Sequence, residues 1–188
     1  MTITPPAVGR LALLGVIAAL LQLTAISQIS VFGVPVDLSP LIVASVGFLT
    51  GSVTGAVFGF SFGLFADTAL MQTLGVTSLV LTAVGYGAGR IRELRDPAHG
   101  LAPVAVGAIA TAAAALGVTL LQFLLGTEAP LTLQIAREIL ITVLVNTLLA
   151  LPVYALVRRS LLRFLPDDPR RRRRRAYTTG GLSPLSRA

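Results

Sequence analysis

The chain has 188 residues, of which 54% are hydrophobic and only 12% charged, with a mean hydropathy of +0.84. A soluble domain of that length needs far more charge on its surface, so a membrane-embedded chain is expected. The net charge of +7 comes from fifteen arginines with no lysine, lying almost wholly outside the apolar stretches, which points to a membrane surface and away from nucleic acid. Zero cysteines exclude disulfides, thiol catalysis and thiolate metal sites.

Uncharged runs cover Leu11–Val36, Leu38–Ala66, Thr68–Gly89, Gly100–Thr127 and Ile139–Val157. About 20 apolar residues suffice to span a bilayer as a helix, and each run is near or above that length. The first span is placed at Leu11–Ser30. Ala25-Ile26-Ser27 loosely fits a signal-peptide cleavage site, but the run is longer than a signal core and is retained as a span. Val31–Pro35 is a Gly/Pro-broken connector outside the membrane. The next run is divided into spans Leu38–Thr50 and Val53–Ala66 by a tight turn near Thr50–Thr54. Leu74–Gly89, Leu101–Leu125 and Thr132–Val157 complete six, with Arg90–His99 a short polar cytoplasmic loop and Gly126–Pro130 an external turn. Pro152 is expected to kink the last span.

The fold class is therefore all-α, a polytopic membrane helix bundle of about six transmembrane helices in residues 1–165, followed by a disordered basic cytoplasmic tail, 166–188. Six spans put both termini in the cytoplasm with every arginine but Arg137. A single tilted helix over Leu38–Ala66, about 43 Å long at 1.5 Å per residue, would leave five spans and an external N-terminus. The cytoplasmic arginines form a basic anchor for anionic lipid: Arg90, Arg92 and Arg95 in the loop, and Arg170, Arg171, Arg172, Arg173, Arg174 and Arg175 in the tail.

Gly47, Gly51, Gly55, Gly59 and Gly63 recur at every fourth position and Asp67 takes the next step. Such a stripe lets helix backbones approach closely in lipid, where little hydrophobic force holds helices together. A repeat that crosses the expected turn cannot be one helical face, so part of it is expected to be coincidence. Gly85 and Gly89, around Tyr86, offer a second small pair. Asp67 either marks the membrane surface or points inward to clamp the Leu74-Gly75 turn. Gln22, Gln28, Gln122 and Asn146 are expected to bond between helices as structural glue.

Two enzyme patterns fail. Gly59-Phe60-Ser61-Phe62-Gly63 matches the G-x-S-x-G nucleophile pattern but lies in an apolar helical stretch. His99, the one histidine, is expected at the opposite membrane face. Asp37 and Asp67 lack the flexible glycine of an intramembrane carboxylate pair. No metal or cofactor is expected, and the chain reads as a non-enzyme.

The order Asp37-Leu38-Ser39-Pro40-Leu41, Gly55…Gly59…Gly63-Leu64-Phe65-Ala66-Asp67, Leu74-Gly75 and Gly85-Tyr86-Gly87-Ala88-Gly89-Arg90 resembles the rod shape-determining protein family MreD. The resemblance covers about Val34–Arg95 in motif and Leu11–Arg163 in layout. Val36 separates Pro35 from Asp37, and no arginine marks the second hairpin turn, which are departures from the family. The resemblance implies a bundle similar to the substrate-binding S-components of energy-coupling-factor (ECF) transporters. It also implies a scaffold of the bacterial cell-elongation complex in the cytoplasmic membrane, supporting lateral peptidoglycan synthesis. Its implied partners are membrane lipids, an MreC-like protein, an MreB-like filament, RodA and its transpeptidase. Gly55, Gly59, Gly63, Asp67, Gly75, Tyr86 and Gly89 are then helix-packing or partner-interface residues. The alternative is a vitamin-binding ECF transporter subunit, but the first span lacks the A-x-x-x-A pattern such proteins use for docking.

Overall fold

The computed structural model describes residues 9, 13, 15–20, 22, 30–31, 33–35, 37–94, 102–126 and 133–161. Most of the first span with Ala25–Ser27 and Gln28, the positions of Arg95 and His99, and the tail with Arg170–Arg175 lie outside the described residues. Residues 15–20 are helical. Five long helices follow: α1 (Ser39–Thr50), α2 (Ser52–Ala69), α3 (Val76–Leu94), α4 (Ala102–Leu124) and α5 (Leu133–Leu161).

The 31–35 connector departs from the expected irregular link. Two-residue strands β1 (Ser30–Val31) and β2 (Val34–Pro35) pair antiparallel, with Gly33 at φ +82° in the turn between them. The fold is otherwise helical. The expected turn over 50–54 shrinks to one residue, Gly51, whose φ of 109° is open to glycine and strained for other residues. Its N–H bonds the Gly47 carbonyl at 2.8 Å to end α1, and α2 begins at the next residue. The expected loop over Arg90–His99 is also corrected, because α3 runs on to Leu94 and carries Arg90 and Arg92 as helical residues.

Helix α1 is the axis of the molecule. Every residue from Ser39 to Leu49 is buried, so the helix is covered on all sides, as a helix apolar all round must be. It packs against α2, α3, α4 and α5. Asp37 opens it by accepting the Ser39 N–H at 2.9 Å, and Pro40 sits in the first turn, where its missing N–H costs nothing. One core cluster joins Leu41, Val43, Val46 and Leu81 to Ala150 and Val157 of α5. A second joins Ala44 and Phe48 to Val80, Val84 and Ala110, with Phe48 edge-on to Tyr154 at 6.1 Å between ring centres.

Helices α4 and α5 are long and apolar enough to cross a membrane by length and composition. Their outward faces carry Ile109, Leu116, Leu120, Leu144, Leu148 and Leu156, all exposed in the isolated chain. Apolar surface on that scale needs hydrocarbon or another protein to cover it.

Candidate functional site: a glycine-packed hairpin with reciprocal helix caps

Antiparallel α2 and α3 touch backbone to backbone along the glycine stripe. A methyl group built on Gly55 would lie 2.6 Å from the Gly47 Cα and 2.9 Å from the Gly85 carbonyl carbon. On Gly59 it would meet the Leu81 carbonyl carbon at 2.7 Å, and on Gly63 the Ser78 amide nitrogen at 2.7 Å. Gly85 and Gly89 are closed in the same way, by Gly55 and by Gly51-Ser52. These obstacles are main chain, which cannot rotate aside.

The part of the repeat expected to be coincidental has a use. Gly47, on α1, faces the same Gly85 carbonyl as Gly55 on α2, so the stripe continues across the Gly51 turn because both helices press on α3. Gly75 and Tyr86 lie apart from this contact. Gly75 has open space around it at φ +96°, and Tyr86 is half exposed on the outer side of α3.

The two helices cap each other. Helix α3 starts after Gly75, whose carbonyl accepts the first helical bond from Leu79 but which has no side chain to offer the next free amides. Asp67, at the end of α2 and fully buried, supplies the missing acceptor: its Oδ2 takes the N–H of Gly75 at 2.8 Å and of Ser78 at 3.4 Å. Asp67 thus points inward onto the Gly75 turn and does not mark a surface. At the other end α2 starts after Gly51, which likewise has no side chain. Glu93, near the end of α3, accepts the Ser52 N–H at 3.0 Å and the Ser52 hydroxyl at 2.7 Å. Beside it, Arg92 donates to the Leu49 carbonyl, an acceptor left free where α1 ends. The hairpin is therefore closed at both ends by carboxylates that each helix lends to the other.

Nothing in the residue pattern singles out Glu93, because an acid among Arg90, Arg92 and Arg95 reads as a solvated partner of its neighbours. It does pair with Arg90, at 3.4 Å and with both side chains well exposed, a contact worth little by itself. Glu93 lies beyond Gly89, outside the expected span. Its carboxyl sits below the ordinary 4.5, mainly because of the Ser52 amide and then the Ser52 hydroxyl. A lowered folded-state pKa contributes stability that is present above the unfolded value and lost as pH falls through the folded one. The wild-type chain is accordingly expected to lose thermal stability in mild detergent as the pH drops below 4.5, and Glu93→Gln to flatten that part of the profile. An acid limb unchanged in Glu93→Gln would remove this role.

A second polar junction ties the remaining elements together. Gln22 donates to Asp37 Oδ1 at 3.2 Å and accepts the Leu38 N–H at 3.3 Å. The fully buried Asn146 of α5 donates to the Asp37 carbonyl at 2.7 Å and to Thr111 of α4 at 3.2 Å. Asn146 bonds between helices, as expected, whereas Gln22 bonds the two residues that precede α1. Asp67 Oδ1 and Asn146 Oδ1 are the two buried side-chain oxygens with no hydrogen-bond partner among the described residues. The serine of the G-x-S-x-G pattern returns its hydroxyl to the Val57 carbonyl at 3.0 Å from an exposed position of α2. Among the described residues no group of acidic or histidine side chains could hold a metal ion.

These features define a helical bundle with two helices long and apolar enough to cross a membrane and with carboxylates that cap the starts of neighbouring helices. The family model for rod shape-determining protein MreD matches residues 9–160, and the chain belongs to that family. No curated protein and no solved structure matches it. Its role accordingly lies in rod shape determination.

Proposed function

We propose that the chain is an integral-membrane scaffold of the cell-elongation complex, holding partner spans in register for lateral peptidoglycan synthesis and doing no chemistry itself. The observation that carries this reading is the family match over residues 9–160. The reciprocally capped α2–α3 hairpin supports it, since a scaffold needs a rigid body and close backbone packing supplies one.

In this reading residues 1–165 form six spans in the bacterial cytoplasmic membrane, with both termini in the cytoplasm. Helix α1, only 12 residues long, is too short to face lipid across the full core of about 30 Å, and is shielded by its neighbours instead. The Arg90–Glu93 end faces the cytoplasm, where Arg90, Arg92, Arg95 and the tail Arg170–Arg175 meet anionic lipid. With Gly55, Gly59, Gly63 and Gly89 closed against their own chain, Tyr86 and the outward faces of α3, α4 and α5 are left for an MreC-like protein, an MreB-like filament or the RodA–transpeptidase pair.

The test is a mild-detergent pull-down of a tagged copy from its own host. Recovery of an MreC-like protein or of the polymerase pair is expected. Recovery of ATPase subunits with a transmembrane coupling protein would replace the scaffold by a transporter subunit. The same experiment with Arg170–Arg175 changed to glutamine reads whether the tail contributes, by the amount of partner recovered.

A further inference from the structure

Among the glycines of α1 to α5, Gly87 alone has no atom within 4 Å of the position a Cβ would take. A glycine inside a helix costs about 1 kcal/mol relative to alanine, and no contact among the described residues accounts for this one. Gly87 lines a groove between α3 and α4 with a volume of about 410 Å³, walled by Ala83 and Ile91 on one side and by Ile109, Ala113 and Gly117 on the other. Apart from a small polar contribution the lining is apolar.

Its dimensions select an occupant. From Leu79 to Ile91, the extent of its α3 wall, the helix advances about 18 Å at 1.5 Å per residue, so the 410 Å³ open to the centre of a water-sized sphere averages about 5 Å across and the walls stand about 8 Å apart. That admits a polymethylene chain and is narrower than the 10–12 Å of a helix with its side chains. Charge marks one end. Arg90 stands one turn beyond Gly87, beside the groove residue Ile91 and exposed, with Glu93 its one acidic contact among the described residues. The N-terminal end of α4, which carries partial positive charge, lies at the same end of the groove. The wall itself carries no charged side chain; α3 has charged residues only from Arg90 on, and α4 has none.

We propose that this groove holds one acyl chain of an anionic phospholipid whose phosphate faces the Arg90 end. The inference rests on the membrane reading of the chain and adds to it a defined lipid site. Bound lipid fills the space that the missing Gly87 side chain leaves and joins α4 to the α2–α3 hairpin.

The test uses the purified full chain and phosphatidylglycerol carrying a photoreactive diazirine in its acyl chain, with labelled peptides located by mass spectrometry. Label is expected on the segments 79–91 and 106–121, displaced about tenfold more readily by unlabelled phosphatidylglycerol than by phosphatidylcholine, a preference of about 1.4 kcal/mol. Gly87→Leu, whose Cβ has open space among the described residues and whose branch reaches into the groove, is expected to reduce that label about tenfold and to leave the melting temperature within a few degrees of wild type. Label spread evenly over the outward leucines of α5, equal displacement by the two lipids, or undiminished label in Gly87→Leu would each overturn the proposal. So would a partner protein's helix cross-linking to the groove peptides of the purified complex and excluding the lipid. Pull-down from the same wild-type cells separates the two readings: loss of every partner removes the scaffold and leaves the lipid result standing.

Discussion

Gly63→Leu is expected to prevent α2 from packing on α3. The first atom of the new side chain would fall 2.7 Å from the Ser78 backbone nitrogen, with the Thr77 carbonyl carbon at 2.9 Å, and neither can move without moving α3. Inserting side-chain atoms into a packed interior costs about 1–3 kcal/mol where neighbours can adjust, and a main-chain obstacle puts this substitution at about 3 kcal/mol or beyond. The loss should appear as a large fall in thermal unfolding temperature in detergent and as new protease cleavage in the 70–75 connection. Gly59→Leu should behave alike, through the Leu81 carbonyl. Gly87→Leu is the control, a glycine two positions from Gly85 on the same helix whose Cβ position is open among the described residues, and should remain within about 1 kcal/mol of wild type. Equal loss in Gly63→Leu and Gly87→Leu would mean that helix flexibility, not backbone contact, explains the glycines. Loss of partner binding in Gly63→Leu therefore reports a broken hairpin before it reports a broken interface.

Asp67→Ala is expected to destabilise the chain by about 2 kcal/mol. The substitution leaves the buried Ser78 amide and the half-buried Gly75 amide without their acceptor, and an unsatisfied buried donor costs about 1–3 kcal/mol. Asp67→Asn keeps one oxygen where Oδ2 stands and should recover part of the loss. If the asparagine variant melts with the alanine variant, the negative charge at the start of α3, not the hydrogen bonds, carries the effect. Hydrogen exchange at Gly75 and Ser78 reads the same change locally, with faster exchange expected in Asp67→Ala.

The two substitutions probe opposite ends of what a sequence can disclose. The four-residue step from Gly47 to Gly63 is written in the chain, and so is the step on to Asp67, because helical geometry converts a spacing of four into one face. The Leu74-Gly75 turn is close enough in sequence to Asp67 for a clamp to be inferred. Arg90 and Arg92 are harder to place: charge patterning reads them as a loop, whereas α3 extends to Leu94 because the Leu49 carbonyl and the Ser52 amide give Arg92 and Glu93 something to bind. The short ladder at Ser30–Val31 and Val34–Pro35 is hidden in the same way, since two residues on each side carry no periodicity to detect.

By itself the sequence determined that this is an apolar helical chain for a membrane, that one stripe of it is backbone-smooth, and that Asp67 terminates that stripe. Those are local properties, set by composition and by the 3.6-residue turn. Only the tertiary structure decided that the smooth stripe is consumed inside the chain, that Gly47 and Gly55 share the Gly85 carbonyl across a one-residue turn, and that Glu93 returns the service Asp67 provides. These contacts join residues from 15 (Gly63–Ser78) to 41 (Ser52–Glu93) positions apart, and which of them form depends on how whole helices meet, which no spacing along the chain encodes.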